Sequence, residues 1–178
     1  MRIAAFTLLA ALLLAQPAQA IEKQKDGFYH TGFGVRQKSI AFIDVDVYEI
    51  HHFTKELPPK HSKQAMIDLD VDKRIEWKML RDVEAEKMRD ALKNGYEMNG
   101  FNDQAKISKF TGAFQKEMKE GARVSISYDS EKKSTTISVQ GGGTATVEGV
   151  DFMKATWGVW FGKIDQPALG DQMIKALP

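Results

Sequence analysis

The chain has 178 residues, with 25 Lys and Arg against 24 Asp and Glu, a formal net charge of +1, and no cysteine. Disulfides, thiolate metal sites and lipid attached through a cysteine are therefore excluded, and the fold must be held by its core. A near-neutral chain with no basic stripe argues against a general nucleic-acid binder, whose phosphate contacts need an excess of Lys and Arg.

Residues 1–20 read as a cleavable secretory leader: Arg2 is the charged start, Ile3–Ala15 the apolar core, and Ala18-Gln19-Ala20 the small-x-small site. The apolar run is shorter than the ~20 residues of a membrane-spanning helix, and polar sequence follows it. The expectation is export to the periplasm or the medium, with no membrane anchor and a mature domain over residues 21–178. That length is one domain, large enough to bury a core.

Ile21–His30 is polar, with one glycine, and reads as a leading strand or arm. Gly32 and Gly34, where the backbone can turn or pass close to a neighbour, then lead into Arg36 and a β-branched and aromatic run from Ile40 to Ile50. This is a hairpin carrying one cation on its buried side. Alternation places Ile43, Val45, Val47 and Glu49 on one, apolar face and Phe42, Asp44, Asp46 and Tyr48 on the other. His51–Lys63, with Pro58-Pro59, reads as an extended loop. Ala65–Leu80 alternates around a break at Asp72-Lys73, which fits either two strands or a helical turn leading into one strand from Arg74.

Asp82 is placed to cap a helix over Val83–Asn99 that carries Met88, Ala91, Leu92, Gly95 and Tyr96 on one side and ends at Gly100. Asn102 or Asp103 caps a second helix with Ile107, Phe110, Phe114 and Met118 as its stripe and Gly121 as its stop. Val124–Tyr128 and Thr135–Val139 form a hairpin signal about the turn Asp129–Lys133, and Thr144–Val147 is a further short strand. Asp151 is placed to cap a helix through Phe161 that is apolar almost all round, which requires burial on both sides or a partner surface. Asp165 and Pro167 open a last helix with Leu169, Met173 and Leu177 as its stripe. The sum is an α+β fold with a largely antiparallel sheet and helices packed on one face.

The glycine pair with Val35-Arg36, the strand ending in Val47-Tyr48, the segment Arg81–Met88, the strand pair around Val124–Val139 and Trp157-Gly158-Val159-Trp160-Phe161-Gly162 follow one another in an order that resembles the chalcone isomerase family, over nearly the whole mature chain. The resemblance implies that Arg36 faces a ligand cleft and binds an oxyanion or carboxylate, a task that suits a planar, permanently charged guanidinium. The residues alone also allow Arg36 to pair with an acid such as Asp44, Asp46 or Glu84. Carried over through Glu86-Lys87, the family's catalytic tyrosine falls on Glu84 and its asparagine on Ala91. Its threonine falls on Ile43 and its late serine or threonine on Val159. Ile43, Ala91 and Val159 have no side-chain donor to polarise a carbonyl, so no catalytic residue is assigned.

Family members that bind fatty acids grip the carboxylate with the arginine and a tyrosine, which implies a small apolar acid as ligand here, with Arg36, Tyr48 and Glu84 as the binding residues. Glu84 takes the place of the matching tyrosine and would repel an anion unless Arg36 neutralises it or it points to solvent. Two further readings remain: an isomerase or lyase using another residue set, with Arg36 and Glu84 as base, and a non-catalytic envelope protein acting through a protein partner. No cofactor is implied: Gly32-x-Gly34 lacks the third glycine of a dinucleotide fingerprint, and Gly141–Gly143 lacks the Gly-Lys-Ser/Thr ending of a phosphate loop. No metal is implied either, because His51 and His52 point to opposite faces of an extended chain and His61 lies beyond the prolines, so the four histidines read as surface loop residues.

Overall fold

The computed structural model describes residues 21–178, and the expected leader lies outside them. Strands β1 (Tyr29–Ile40) and β2 (Ile43–Thr54) form the expected hairpin. A short helix, α1 (Lys63–Asp68), then leads into β3 (Lys73–Met79), so of the two readings of that segment the helical turn with one strand is the one adopted. Helices α2 (Ala85–Met98) and α3 (Gln104–Thr111) precede β4 (Arg123–Asp129), β5 (Ser134–Val139) and β6 (Thr144–Glu148), and α4 (Val150–Phe161) and α5 (Pro167–Met173) close the chain. The strands lie in chain order, each antiparallel to its neighbours, in a single six-stranded sheet.

Strict alternation in β3 and β4 separates the faces: Ile75, Trp77, Met79, Val124, Ile126 and Tyr128 are buried, while Glu76, Lys78, Ser125 and Ser127 are not. All five helices cover the buried face. Helix α4 has eight of its residues buried because it is enclosed by α1, α2, α5 and the β5–β6 end of the sheet, so its all-round apolarity is that of a central helix. Its rings interlock with those of the sheet and of α3, with Trp77 of β3 at 5.7 Å from Trp160 and Phe110 of α3 at 5.0 Å from Phe152.

Several expected details differ. The buried side of β2 is that of Tyr48, Ile50, His52 and Thr54, not that of Ile43 and Val45. A bulge at Arg36/Gln37 pairs Arg36 with Tyr48 and Gln37 with Asp46, leaving Val47 without an opposite residue and shifting the alternation. Strand β2 runs through His51 and His52 to Thr54, into the segment read as loop. Asp82 does not cap α2: it accepts from the Glu120 amide (2.8 Å) and from Lys119 Nζ (2.8 Å), and Glu84 occupies the N-cap without a side-chain bond. Asp103 does cap α3, accepting from the Lys106 amide at 3.0 Å, but that helix ends at Thr111. The chain beyond it still buries Phe114 and Met118, and Met118 exchanges both backbone bonds with Val83 at 2.8 Å. Gly149 is the N-cap of α4, and Asp151 pairs with Lys106 instead.

Candidate ligand-binding site

The glycine pair of β1 shapes the site. A Cβ at Gly32 would stand 2.9 Å from the Met173 carbonyl carbon, at a φ of +154° that side chains rarely adopt, and one at Gly34 would stand 2.8 Å from Leu169 Cδ1. Helix α5 therefore lies directly on the bare backbone of β1. Two residues further along the same face stands Arg36, beside the entry to α5.

Arg36 shares the helix-covered face with its cross-strand partner Tyr48, and its side chain is only 15% exposed. One terminal nitrogen donates to Asp165 Oδ1 at 2.6 Å and the other to Gln166 Oε1 at 3.1 Å. Lys38 Nζ reaches the second Asp165 oxygen at 2.8 Å, the Gln37 amide donates to Gln166 Oε1 at 2.9 Å, and Gln166 Nε2 donates to the Val35 carbonyl at 2.9 Å. A carboxylate and an amide carbonyl from the α4–α5 connection thus fill a cradle of four donors. Partial burial pushes the Asp165 carboxyl up, but Lys38 and Arg36 outweigh it and hold the group below the usual range. The cradle borders a solvent-open cavity of about 350 Å³ that also takes in Ser39 and Asp44.

Beneath Arg36, the Tyr48 hydroxyl accepts from Trp160 Nε1 at 3.1 Å. Burial raises its pKa, against the opposing pull of Trp160 and the Arg36 charge, so it stays a neutral phenol that can donate. The ring of Tyr48 lies 5.4 Å from that of Trp77, whose buried Nε1 has no partner among the described residues.

Of the three expected binding residues, Arg36 and Tyr48 come together, and Glu84 does not join them. It caps α2 with a side chain 64% exposed and in contact with Lys87 at 3.3 Å. None of the local acids considered for Arg36 is its partner, which comes instead from a residue 129 positions later. The four positions matched to isomerase donors are scattered. Ile43 is exposed at the hairpin tip, Glu84 and Ala91 are exposed on α2, and Val159 is buried against Gly95. None lines the cavity beside Arg36.

A second polar group lies on the same inner face. His52, expected at a loop surface, is fully buried. Trp157 Nε1 donates to its Nε2 at 2.9 Å, so the neutral ring carries its proton on Nδ1, which bonds Thr31 Oγ1 at 2.7 Å, and Thr31 donates to the Met173 carbonyl at 2.8 Å. Burial, then the Lys73 charge, holds His52 well below its ordinary pKa. The alternation Tyr48, Ile50, His52 carries the signal for its burial. Lys73 is equally buried: its Nζ donates to the carbonyls of Met66 (2.7 Å) and Ile67 (3.3 Å), at the end of α1, and stands 4.8 Å from the centre of the Trp157 ring. Burial brings its pKa down to about 7. Among the described residues no group of three or more His, Asp or Glu side chains is arranged to hold a metal ion, and no helix is long and apolar enough to cross a membrane.

A single six-stranded antiparallel sheet with its helices on one face makes this an α+β domain, on which a cradled arginine stands over a neutral tyrosine. Residues 15–176 match the chalcone isomerase-like family, and the chain belongs to it. A crystal structure of an Arabidopsis thaliana fatty-acid binding protein has the same fold, with a TM-score of 0.67 and 16% identity over 90% of this chain and 92% of that one. No curated protein matches the sequence.

Proposed function

We propose that this protein is an exported, non-catalytic member of the family that binds a small apolar acid, such as a fatty acid, with the carboxylate on Arg36 and the neutral Tyr48 hydroxyl as a second donor. The observation that carries the reading is the cradle itself. Arg36, Lys38 and the Gln37 amide converge on one carboxylate and one carbonyl beside an open cavity, which is the donor set an acid head requires. In the resting protein Asp165 supplies that carboxylate, so an incoming acid exchanges with it. Scattering of the four matched isomerase positions supports binding without ring closure. Export is supported by the leader-like residues 1–20.

Calorimetry with palmitic acid and its methyl ester tests the reading. The acid binds wild type better than the ester does, and Arg36→Ala weakens the acid about ten- to a hundredfold, in keeping with a charge-assisted bond of roughly 1.5–3 kcal/mol. Equal binding of acid and ester to wild type refutes it.

A further inference from the structure

The β1–β2 hairpin outruns the sheet. Tyr48 and Met79 form the last register pair between β2 and β3, so the pairs from Gln37↔Asp46 to Ile40↔Ile43 stand out as a two-stranded ribbon. Its tip is the run Ile40-Ala41-Phe42-Ile43. Ala41 and Phe42 both have positive φ, 49° and 69°, as a two-residue turn of this hand requires. Asn-Gly or Asp-Gly normally fills such a turn, because a side chain on the left-handed backbone is strained and an aromatic one more so. Phe42 is nonetheless there, fully exposed, and Ile43 is 67% exposed. The turn thus holds an apolar ring in water at a position where its backbone disfavours it.

We infer that this tip is a contact with the lipid bilayer, inserting Phe42 and Ile43 among neutral headgroups. Two side chains of this size offer at most ~400 Å², about half the ~800 Å² per partner of a standard protein interface, whereas shallow insertion requires only side-chain depth. The acids flanking the tip, Asp44 and Asp46, and the single Lys38 give no attraction to anionic lipid, so a zwitterionic surface is the fitting one. The tip is also continuous with the cavity beside Arg36, which is lined by Ser39 and Asp44, the register pair next to Ile40↔Ile43. In choosing a bilayer as the source of the ligand the inference rests on the acid-binding reading, and it deepens that reading by placing the acid site against the phase that stores apolar acids.

The test is co-sedimentation of the mature protein with phosphatidylcholine vesicles. Wild type sediments with them. The double variant Ala41→Asn, Phe42→Gly, which installs the favoured turn, binds at least tenfold more weakly while its thermal midpoint stays level or rises. Phe42→Ser, which leaves the rest of the tip in place, also binds more weakly, and Phe42→Trp shows a blue-shifted tryptophan emission on addition of vesicles. The double variant keeps the affinity for palmitic acid in lipid-free solution, so a failure of docking is read apart from a failure at Arg36. The inference is overturned if wild type stays in the supernatant, if the double variant sediments equally, or if light scattering shows a wild-type dimer that the double variant disperses, since a second copy then covers the tip.

Discussion

Replacing Lys73 by methionine should change stability by an amount that depends steeply on pH. Among the described residues the Lys73 side chain is fully buried with no carboxylate in contact, and it has two carbonyls at the end of α1 as its acceptors. Such carbonyls lack partners within the helix, so Lys73 serves as the cap of α1 from across the core. Its pKa is about 7 in the fold against 10.5 as a free side chain. Between those values the unfolded chain carries a proton that the folded protein lacks, and raising the pH strips that proton from the unfolded state only. Stability from this group therefore rises with pH from about 7 to 10.5, by about 1.4 kcal/mol per unit, and is flat below 7, where the charge stays buried at full cost.

Urea unfolding of wild type and Lys73→Met at pH 6, 7, 8 and 9 follows this group, since titrations away from Lys73 cancel in the difference and the neighbouring His52, held well below its ordinary pKa by burial first, is neutral in the fold from pH 7 upward. At pH 9 the variant should be the less stable, because two buried carbonyls lose their donor at about 1–3 kcal/mol each. At pH 6 that deficit should shrink or reverse, as wild type alone buries an ammonium. The wild-type advantage should grow by about 3 kcal/mol between pH 7 and 9. A difference that stays constant across the range refutes a buried amine with a depressed pKa.

His52 has the opposite window: its folded pKa lies well below 6.5, so under pH 6.5 the unfolded chain takes up a proton that the fold refuses, and stability falls. His52→Gln should flatten that acid limb relative to wild type in unfolding followed from pH 7 to 4.5. Trp160→Ala should cost on the order of 3–5 kcal/mol, since its ring is buried between Trp77 and the Tyr48 hydroxyl, and an unchanged denaturant midpoint would contradict this. Asp165→Asn removes the resident anion from Arg36 and should tighten palmitic acid several-fold by calorimetry, whereas weaker binding would show that Asp165 orders the site rather than occupying it.

The architecture was legible where a local period carries it. Val124–Tyr128 and Thr135–Val139 alternate strictly, and the strands form where that alternation places them. Periodicity fails where one inserted residue resets it. The bulge at Arg36/Gln37 is a matter of pairing between strands, so the alternation read across Ile43–Glu49 selects the face that the sheet does not bury. The spacing predicts too long a second helix because Phe114 and Met118 keep a helical period while buried from non-helical chain, and burial alone does not distinguish the two.

The candidate site shows the same division between local and distant signals. Arg36 stands out as a lone arginine beside two glycines, and those glycines do admit a close neighbour, α5. What engages Arg36 could not be read, because Asp165 and Gln166 lie about 130 residues away and look in sequence like a helix start. Tyr48 likewise meets Arg36 only through the bulged register, which turns its ring inward to the same face. A residue-by-residue match to the family places the second ligand contact on α2 at Glu84, whereas the sheet brings a phenol to the arginine from the neighbouring strand. The acid cradle is thus a product of strand pairing and of the α4–α5 connection. Deletion of the unpaired Val47 should therefore close the bulge and leave Arg36 opposite Tyr48, whereas one residue inserted between Tyr48 and Glu49 should take the place opposite Arg36, detach the phenol and weaken palmitic acid in calorimetry while leaving every side chain of the site in the sequence.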